Sequence, residues 1–421
     1  MVQNILAFIL VFGIIVIIHE WGHFYFAKRA GILVREFSVG FGPKLFHHRK
    51  GETTYTVRLL PVGGYVRMAG FEEEADLRPG MPVQLTVNKD DVVTKIDSQT
   101  ENNTMDTIPL EVSDFDFDDN LFIRGRVGME TEEKTYSVHR EALLVEKDGT
   151  ILQIAPRDRQ FQSASLINRM LTNFAGPLNN FILAIVAFTL LAFMQGGVIS
   201  QEPLIGNIQE DSPAALANLE EGDRVLSIDG EDIESWNQMV LLIQDSPNET
   251  LNMTIEKTDG EVIEEAIEPY SADVDGNEIG RIGIEVYFDD SLSSMLTYGF
   301  TETYTIIIQI FTVLGSFFTG GFSVDQLGGP VAIYATTEAV VQAGAIGIIS
   351  WIGFLSVNLG IMNLLPIPAL DGGKLLLNII EGIRKKPLSQ EKEGYITLIG
   401  VLFLFILMIL VTWNDIRTFF F

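Results

Sequence analysis

Val2-Gln3-Asn4-Ile5-Leu6-Ala7 opens a run that stays apolar to Ile18 and then reads His19-Glu20-Trp21-Gly22-His23. Only Gln3 and Asn4 break the apolar character before His19. A span needs roughly 20 residues at ~1.5 Å each, so the stretch predicts a membrane-crossing helix. Histidines four apart share one helix face and can reach one metal ion. A glutamate beside the first is suited to take a proton from metal-bound water. Such side chains cost roughly 3 kcal/mol each inside a bilayer, so their presence there points to a task. The chemistry implied is metal-assisted hydrolysis at membrane depth.

Outward from this stretch, the 421 residues contain three more segments long and apolar enough to span, at about 171–194, 346–366 and 396–413. The first segment lacks Lys or Arg ahead of its apolar core and carries the motif where a signal peptide would have small residues, so it is not read as one. Cysteine is absent, which excludes disulfides and thiolate ligands and leaves His and carboxylate as metal donors. Charge is uneven. Residues 195–345 hold 27 acids against Arg224, Lys257 and Arg281, a net −24 of the chain's −28. Bases flank the spans on the other side: Lys28, Arg29, Arg35, Arg157, Arg159, Arg169, Arg384, Lys385 and Lys386. The positive-inside rule makes those loops cytoplasmic and puts both termini and the acidic segment outside. An acidic outer segment argues against nucleic acid and against docking onto anionic lipid.

The expected fold class is a polytopic α-helical membrane protein with four transmembrane helices, carrying a membrane-associated β-hairpin, a β-rich insert and a small α/β domain. Residues 1–26 form the first transmembrane helix. In 27–71, Gly40-Phe41-Gly42-Pro43 reads as a turn. Residues 53–60 and 65–68 read as two strands of a hairpin joined by Pro61-Val62-Gly63-Gly64. Residues 72–165 read as a cytoplasmic insert of short strands, and 166–196 as the second transmembrane helix. In 197–290, Ser212 is placed to cap a short helix that begins at Pro213. Residues 291–345 are assigned helices at the outer interface, with the apolar stretch 304–318 lying on the membrane rather than crossing it. An extra span there would put Arg384–Lys386 outside, against the charge rule. The third transmembrane segment is 346–375. The remainder, 376–421, is a cytoplasmic loop and the fourth transmembrane helix.

A catalytic metal of this kind needs a third ligand besides the two histidines. The candidate is Asp371, in Asn363-Leu364-Leu365-Pro366-Ile367-Pro368-Ala369-Leu370-Asp371-Gly372-Gly373. Two prolines and two glycines break the span here, and backbone freed at membrane depth is tolerated only inside protein or beside water. Depth agrees: His19 lies roughly 27 Å along the first helix, and Asp371 roughly 25 residues into a span running the same way. A turn residue or helix cap is the alternative role for Asp371. Asn358 and Asn363 are candidates to hold a substrate backbone, with helix packing as the alternative.

The chain resembles the site-2 proteases, intramembrane zinc metalloproteases, most closely the Gram-positive Eep/RasP branch. The likeness rests on His19-Glu20-Trp21-Gly22-His23, on Leu370-Asp371-Gly372, and on Asn173-Phe174-Ala175-Gly176-Pro177-Leu178-Asn179-Asn180 in the second span. Residues Ile205 to Gly230 are similar to a PDZ domain. The resemblance implies one Zn2+ held by His19, His23 and Asp371, with Glu20 as base. It implies substrate contacts at Asn173, Asn358, Asn363 and Pro366, and at Gly63, Gly64 and Tyr65 of the hairpin, whose edge could take an unwound substrate as an added strand. Simple packing is the other role open to the hairpin. The implied setting is the bacterial cytoplasmic membrane, crossed several times. The implied partners are the bilayer and single-span membrane proteins, such as anti-sigma factors or remnant signal peptides, including precursors of peptide pheromones. The PDZ-like domain would lie outside; its ligand is left open, and it could bind peptides or filter substrates by size. Two other readings stand beside this one. An inactive PDZ-bearing scaffold would lack a ligand or the base, and none is missing. A metal transporter would show a polar path and repeated halves, and neither is seen.

Overall fold

The computed structural model describes residues 2–70, 77–99, 107–128, 132–145, 151–274, 277–317, 319–320 and 328–420. Among the described residues, four helices are long and apolar enough to cross a membrane: Gln3–Arg29, Leu166–Gln195, Gly344–Leu364 and Glu391–Thr418. The chain divides into two compact units, one of residues 1–184 and 303–421 and one of residues 185–302.

In the first unit, helix α1 (Val2–Arg29) carries the motif. Strands β1 (Val34–Lys50) and β2 (Thr53–Met68) follow. The hairpin differs from the sequence expectation. Residues 53–60 and 64–68 do not pair with each other but flank β1 on either side. Val34–Val39 pairs antiparallel with Gly64–Met68, while Lys44–Lys50 pairs antiparallel with Thr53–Arg58. The pairs Glu36–Thr54 through Val39–Val57 rise together along both segments and close a four-ribbon sheet. Gly40-Phe41-Gly42-Pro43 is a bend inside β1 rather than a separate turn. Gly40 and Gly42 both adopt positive φ (87° and 84°), which lets one strand double back without a loop. Periodicity could not show this, because a strand that changes partner midway keeps its alternation.

The insert is β-rich, as its alternation suggested. Strands β3 (Pro82–Val87), β4 (Val93–Asp97), β5 (Ile108–Asp116), β6 (Phe122–Val127), β7 (Glu133–Val145) and β8 (Ile151–Gln153) run in the order β4-β3-β5-β6-β7-β8. An added parallel β4–β7 pairing closes five of them into a small barrel. Its interior holds Leu85, Val93, Ile96, Leu110, Val112 and Ile123, each almost fully buried. Helix α2 (Leu166–Gln195) comes next, with Pro177 inside it.

The second unit adds β9 (Val198–Ile199), β10 (Ile205–Ile208), α3 (Pro213–Leu216), β11 (Arg224–Ile228), β12 (Glu231–Asp232), α4 (Trp236–Gln244), β13 (Leu251–Glu256), β14 (Val262–Ile267), β15 (Tyr270–Val274), β16 (Asn277–Arg281), β17 (Ile284–Val286) and β18 (Phe288–Asp289). The largest sheet runs β12-β11-β13-β14, with β10–β17, β9–β18 and β15–β16 as separate pairs. The Ser212 hydroxyl accepts from the Ala215 N–H at 3.2 Å, and Pro213 opens α3. That is the cap the sequence indicated.

Helix α5 (Leu292–Ser316) begins well before the apolar stretch that announced it, and residue 318 lies outside the described residues. Its early part is too polar to register as an apolar run. Helices α6 (Pro330–Gln342) and α7 (Gly344–Leu364) follow. The segment expected as a loop after residue 375 is partly helical: α8 spans Asp371–Arg384, and α9 runs from Gln390 to Phe420. Glycines at 372 and 373 hid that helix start, since glycine disfavours helix by ~1 kcal/mol. They sit there for space: a Cβ on Gly372 would overlap the Leu364 and Leu365 carbonyls, and one on Gly373 the Ile367 carbonyl.

Candidate active site

Helix α1 presents His19 and His23 one turn apart, both buried at 7 % exposure. The α7–α8 connection delivers Asp371 to them. Helix α7 ends at Leu364, residues 365–370 turn back, and Ala369 takes φ +82°, a conformation uncommon for a residue with a Cβ. Asp371 is then the first residue of α8, where the helix dipole favours a carboxylate.

The three side chains meet at their tips. His19 Nε2 and His23 Nε2 are 3.2 Å apart. Asp371 Oδ2 lies 3.3 Å from the first and 3.2 Å from the second. Donors bonded at ~2.0 Å to one tetrahedral zinc stand roughly 3.3 Å from each other, so the triangle has the size a zinc ion requires. The protonation pattern fits as well. His23 Nδ1 lies 2.7 Å from the Thr172 carbonyl, which can only accept, so Nδ1 carries the proton and Nε2 offers a lone pair. Asp371 Oδ2 is buried and has no hydrogen-bond partner. Lone pairs facing one another at this distance repel unless a cation lies among them. The residues present therefore fit a zinc ion.

Helix α2 builds the floor of the site. A Cβ on Gly176 would overlap His23 Nε2 and lie 2.7 Å from His19 Cε1. A Cβ on Gly22 would overlap the Ala175 carbonyl. These two glycines let α1 and α2 cross at backbone distance, as small residues do between membrane helices. Asn179 Nδ2 donates to the Ile18 carbonyl at 3.0 Å, and the Asn180 amide lies 3.1 Å from His19 Nδ1. The oxygen and nitrogen of that amide are interchangeable by rotation. A metal on His19 Nε2 calls for Nδ1–H, and the Asn180 oxygen is then the atom that faces it.

Glu20 is half-buried beside His19, and Gly64 of β2 is packed onto it. A Cβ on Gly64 would lie 3.2 Å from Glu20 Cγ and 2.9 Å from Val16 Cγ1. The ribbon Gly64–Met68 therefore runs past the motif, and no strand pairs with its outer side among the described residues. Gly63 takes φ +85° at the start of this ribbon. Tyr65 turns inward: its hydroxyl donates to Glu36 Oε2 at 3.0 Å and accepts from Arg58 Nη2 at 2.7 Å. Arg58 also donates to Glu36 Oε1 at 2.9 Å and to the Gly42 carbonyl at 2.8 Å. Burial opposes the charge on Glu36, but hydrogen bonds from Arg58 and Tyr65 prevail and hold its pKa below the ordinary value.

The other candidate contact residues lie at varying remove. Asn173 is buried on α2 beside the carbonyl that orients His23, and lines a cavity of about 180 Å3 with Arg169, Lys374, Asn378 and Glu381. Asn358 donates to the Phe354 carbonyl of its own helix at 2.9 Å. Asn363 sits at the end of α7, and Pro366 is exposed in the turn before Asp371. The sequence reading named neither Gly176 nor Asn180 for a role, nor the Thr172 carbonyl. A glycine or asparagine inside an apolar helix has several uses, and a backbone carbonyl leaves no residue-type signal.

The profile for "Peptidase family M50" matches residues 7–407. The protein named "Probable protease eep" of Enterococcus faecalis is 50 % identical over all of both chains. The "Zinc metalloprotease RasP" of Bacillus licheniformis is 42 % identical over 99 % of this chain and all of that one. The "Regulator of sigma-W protease RasP" of Bacillus subtilis is 42 % identical over all of this chain and 99 % of that one. Among solved structures, the PDZ domain of the SdrC-like protein of Listeria monocytogenes covers 21 % of this chain and 90 % of its own, at 23 % identity and TM-score 0.18. With a matching profile across nearly the whole length and full-length relatives at this identity, the chain belongs to peptidase family M50, the site-2 proteases, and is a zinc metalloprotease.

Proposed function

We propose that this zinc metalloprotease cuts peptide bonds within the membrane, with His19, His23 and Asp371 holding one zinc ion and Glu20 acting as base. The observation that carries the reading is the triangle of His19 Nε2, His23 Nε2 and Asp371 Oδ2, set at 3.2–3.3 Å on a helix apolar enough to span a bilayer. When bound, zinc lowers the pKa of its water toward ~7 and polarises the scissile carbonyl. Glu20 takes the proton that the attacking water releases and delivers it to the leaving nitrogen as the C–N bond breaks. Thr172 and Asn180 hold the imidazoles in the tautomers that leave Nε2 free.

The substrate has to arrive unwound, because helical peptide bonds are hydrogen-bonded and shielded by their own helix. In this reading the outer side of Gly64–Met68 receives it as an added strand, and Gly64 brings that strand against Glu20. Asn173, Asn358, Asn363 and Pro366 border the route around the Asp371 turn. The substrates are single-span membrane proteins, with remnant signal peptides and anti-sigma factors as the leading classes. One relative's name, regulator of sigma-W protease, is in line with the latter. The protein crosses the bacterial cytoplasmic membrane four times with its N-terminus outside. The barrel insert is then cytoplasmic, and the PDZ-like unit of residues 197–290 is extracytoplasmic.

The test is cleavage of a reporter carrying one remnant signal-peptide span, in lipid, by the parent and by Glu20→Gln. Cleavage by the parent alone, with equal zinc in both proteins, is expected. Normal cleavage by Glu20→Gln would overturn the assigned base. Zinc retained after His19→Ala, His23→Ala or Asp371→Ala would overturn the ligand set.

A further inference from the structure

The ribbon sheet has two edges. Gly64–Met68 is the near one, beside the motif. Lys44–Lys50 is the far one, and among the described residues no strand pairs with its outer side. Register sets how deep each residue of the far ribbon lies. Phe46 pairs with Val57, Val57 with Val39, and Val39 with Gly64, the residue packed on Val16 and Glu20 of α1. Phe46 is therefore level with a part of α1 roughly 12–18 Å from Lys28, at ~1.5 Å per residue. The other end of the ribbon is level with Lys28 itself. Lys50 pairs with Thr53, whose hydroxyl donates to the Val34 carbonyl at 2.7 Å. Glu52, in the turn between Lys50 and Thr53, accepts from the Lys28 ammonium at 2.6 Å.

Side-chain character changes along that axis. At the deep end, Leu45 and Phe46 are each 63 % exposed, and Leu59 and Leu60 are 53 % and 54 % exposed. Successive residues of a strand point to opposite faces, so both faces of the ribbon are apolar here. A protein laid on the sheet would cover one face; hydrocarbon covers both. At the shallow end the ribbon reads His47-His48-Arg49-Lys50, and α1 ends in Lys28-Arg29. Arg29, His47, His48 and Lys50 are exposed, and their side chains make no hydrogen bond or ion pair among the described residues. Arg49 donates to the Gly51 carbonyl at 3.1 Å and has no acidic partner among them.

Charge on an open edge also keeps sheets from pairing with one another. That use does not call for exposed Leu45 and Phe46 in the same strand. Apolar side chains on one side of a row of bases are the pattern of a segment seated at the boundary between acyl chains and headgroups. An open edge is costly in hydrocarbon, and here the immersed part is short. Pro43 has no N–H, and Lys44 is long enough to carry its ammonium toward the headgroups.

We propose that the far ribbon is a docking surface for anionic phospholipid: Leu45, Phe46, Leu59 and Leu60 lie among the acyl chains, while Arg49 and Lys50, with Arg29 of α1, hold the headgroup phosphate. The lipid thus grips the sheet at the edge away from the site. This inference goes beyond the protease reading and rests only on the chain being a membrane protein.

The chain has no cysteine, so one probe can be placed at will. The full-length protein with Leu45→Cys carries a fluorophore there, in vesicles containing equal mole fractions of either phosphatidylglycerol or phosphatidylcholine brominated on the acyl chains. A second protein carries the probe at Leu10→Cys, on the exposed side of α1. At low salt both lipids should quench the Leu45 probe, with phosphatidylglycerol favoured about threefold or more, and neither should be favoured at Leu10. High salt should shrink the preference. Arg49→Gln with Lys50→Gln should bring phosphatidylglycerol down to the level of phosphatidylcholine, while the Leu10 signal and zinc content of that variant match the parent's. Three results would each overturn the proposal: no quenching at Leu45, equal quenching by the two lipids in the parent, or a preference that survives loss of both bases. The measurement needs no cleavage, so a parent that cuts nothing would sink the protease reading and leave this one to be judged separately.

Discussion

Gly176 does what no other residue can at its position. It sits on α2 where a single methyl would strike His23 Nε2, so Gly176→Ala should lower zinc content sharply while leaving the helices formed. Elemental analysis of the purified variant, beside its circular dichroism, checks this; full zinc with a methyl in place would mean that α2 can move away. Asn180 acts one step further out, through His19 Nδ1. Asn180→Ala should weaken zinc binding about 10–100-fold, as removal of a ligand's orienting partner does, without abolishing it. Competition with a chelator of known affinity measures that loss. Ala369, at φ +82°, is the one strained position in the turn that delivers Asp371, and it marks where the chain is forced to bring the carboxylate to the histidines.

At the scale of elements, the ribbon sheet after α1 carries a polar core beside its apolar packing of Val34, Phe37 and Met68 against α1. Glu36, Arg58 and Tyr65 are tied together inside it, with the Glu36 side chain 8 % exposed. Because the folded sheet depresses the pKa of Glu36, its stabilisation is complete above the unfolded value of ~4.3 and is lost as pH falls through the lower folded value. Protection of the 34–68 amides from hydrogen exchange should therefore drop in acid in the parent. Glu36→Gln should be weakened already at neutral pH and show a smaller further loss, that of Glu52 with Lys28 and Arg159. Tyr65→Phe removes the hydroxyl that joins the edge ribbon to that core. It should lower cleavage severalfold with zinc unchanged, because the edge is no longer fixed beside Glu20. Activity equal to the parent's would return Tyr65 to ordinary packing.

For the whole molecule, four apolar helices and membership of a membrane protease family make this a multi-pass membrane protein. The chain has no cysteine, so single cysteines report sidedness without background. A cysteine at Ser293 should react with a membrane-impermeant thiol reagent on intact cells. One at Asp119, in the barrel insert, should react only after permeabilisation. The reverse result would invert the proposed orientation and place the site near the other leaflet. The net −24 of residues 195–345 lies within the segment assigned outside, in keeping with bases gathering on the inner side.

Short-range chemistry was legible in the sequence. Histidines at i and i+4 must share a helix face, an apolar run of that length must be shielded from water, and prolines with glycines must break a span. Those rules yielded His19, His23, the four spans and Asp371, and alternation yielded the β-rich insert. What only the tertiary structure decided depends on partners far apart in the chain. It decided that β1 is shared by both halves of β2, that the barrel closes through β4–β7, and that Asp371 begins a helix. It also decided that Gly22, Gly64 and Gly176 are points of close approach around the site. The physical reason is the same in each case. Periodicity records which way a side chain points along its own element. The space left by a missing Cβ matters only once another element has been packed against it.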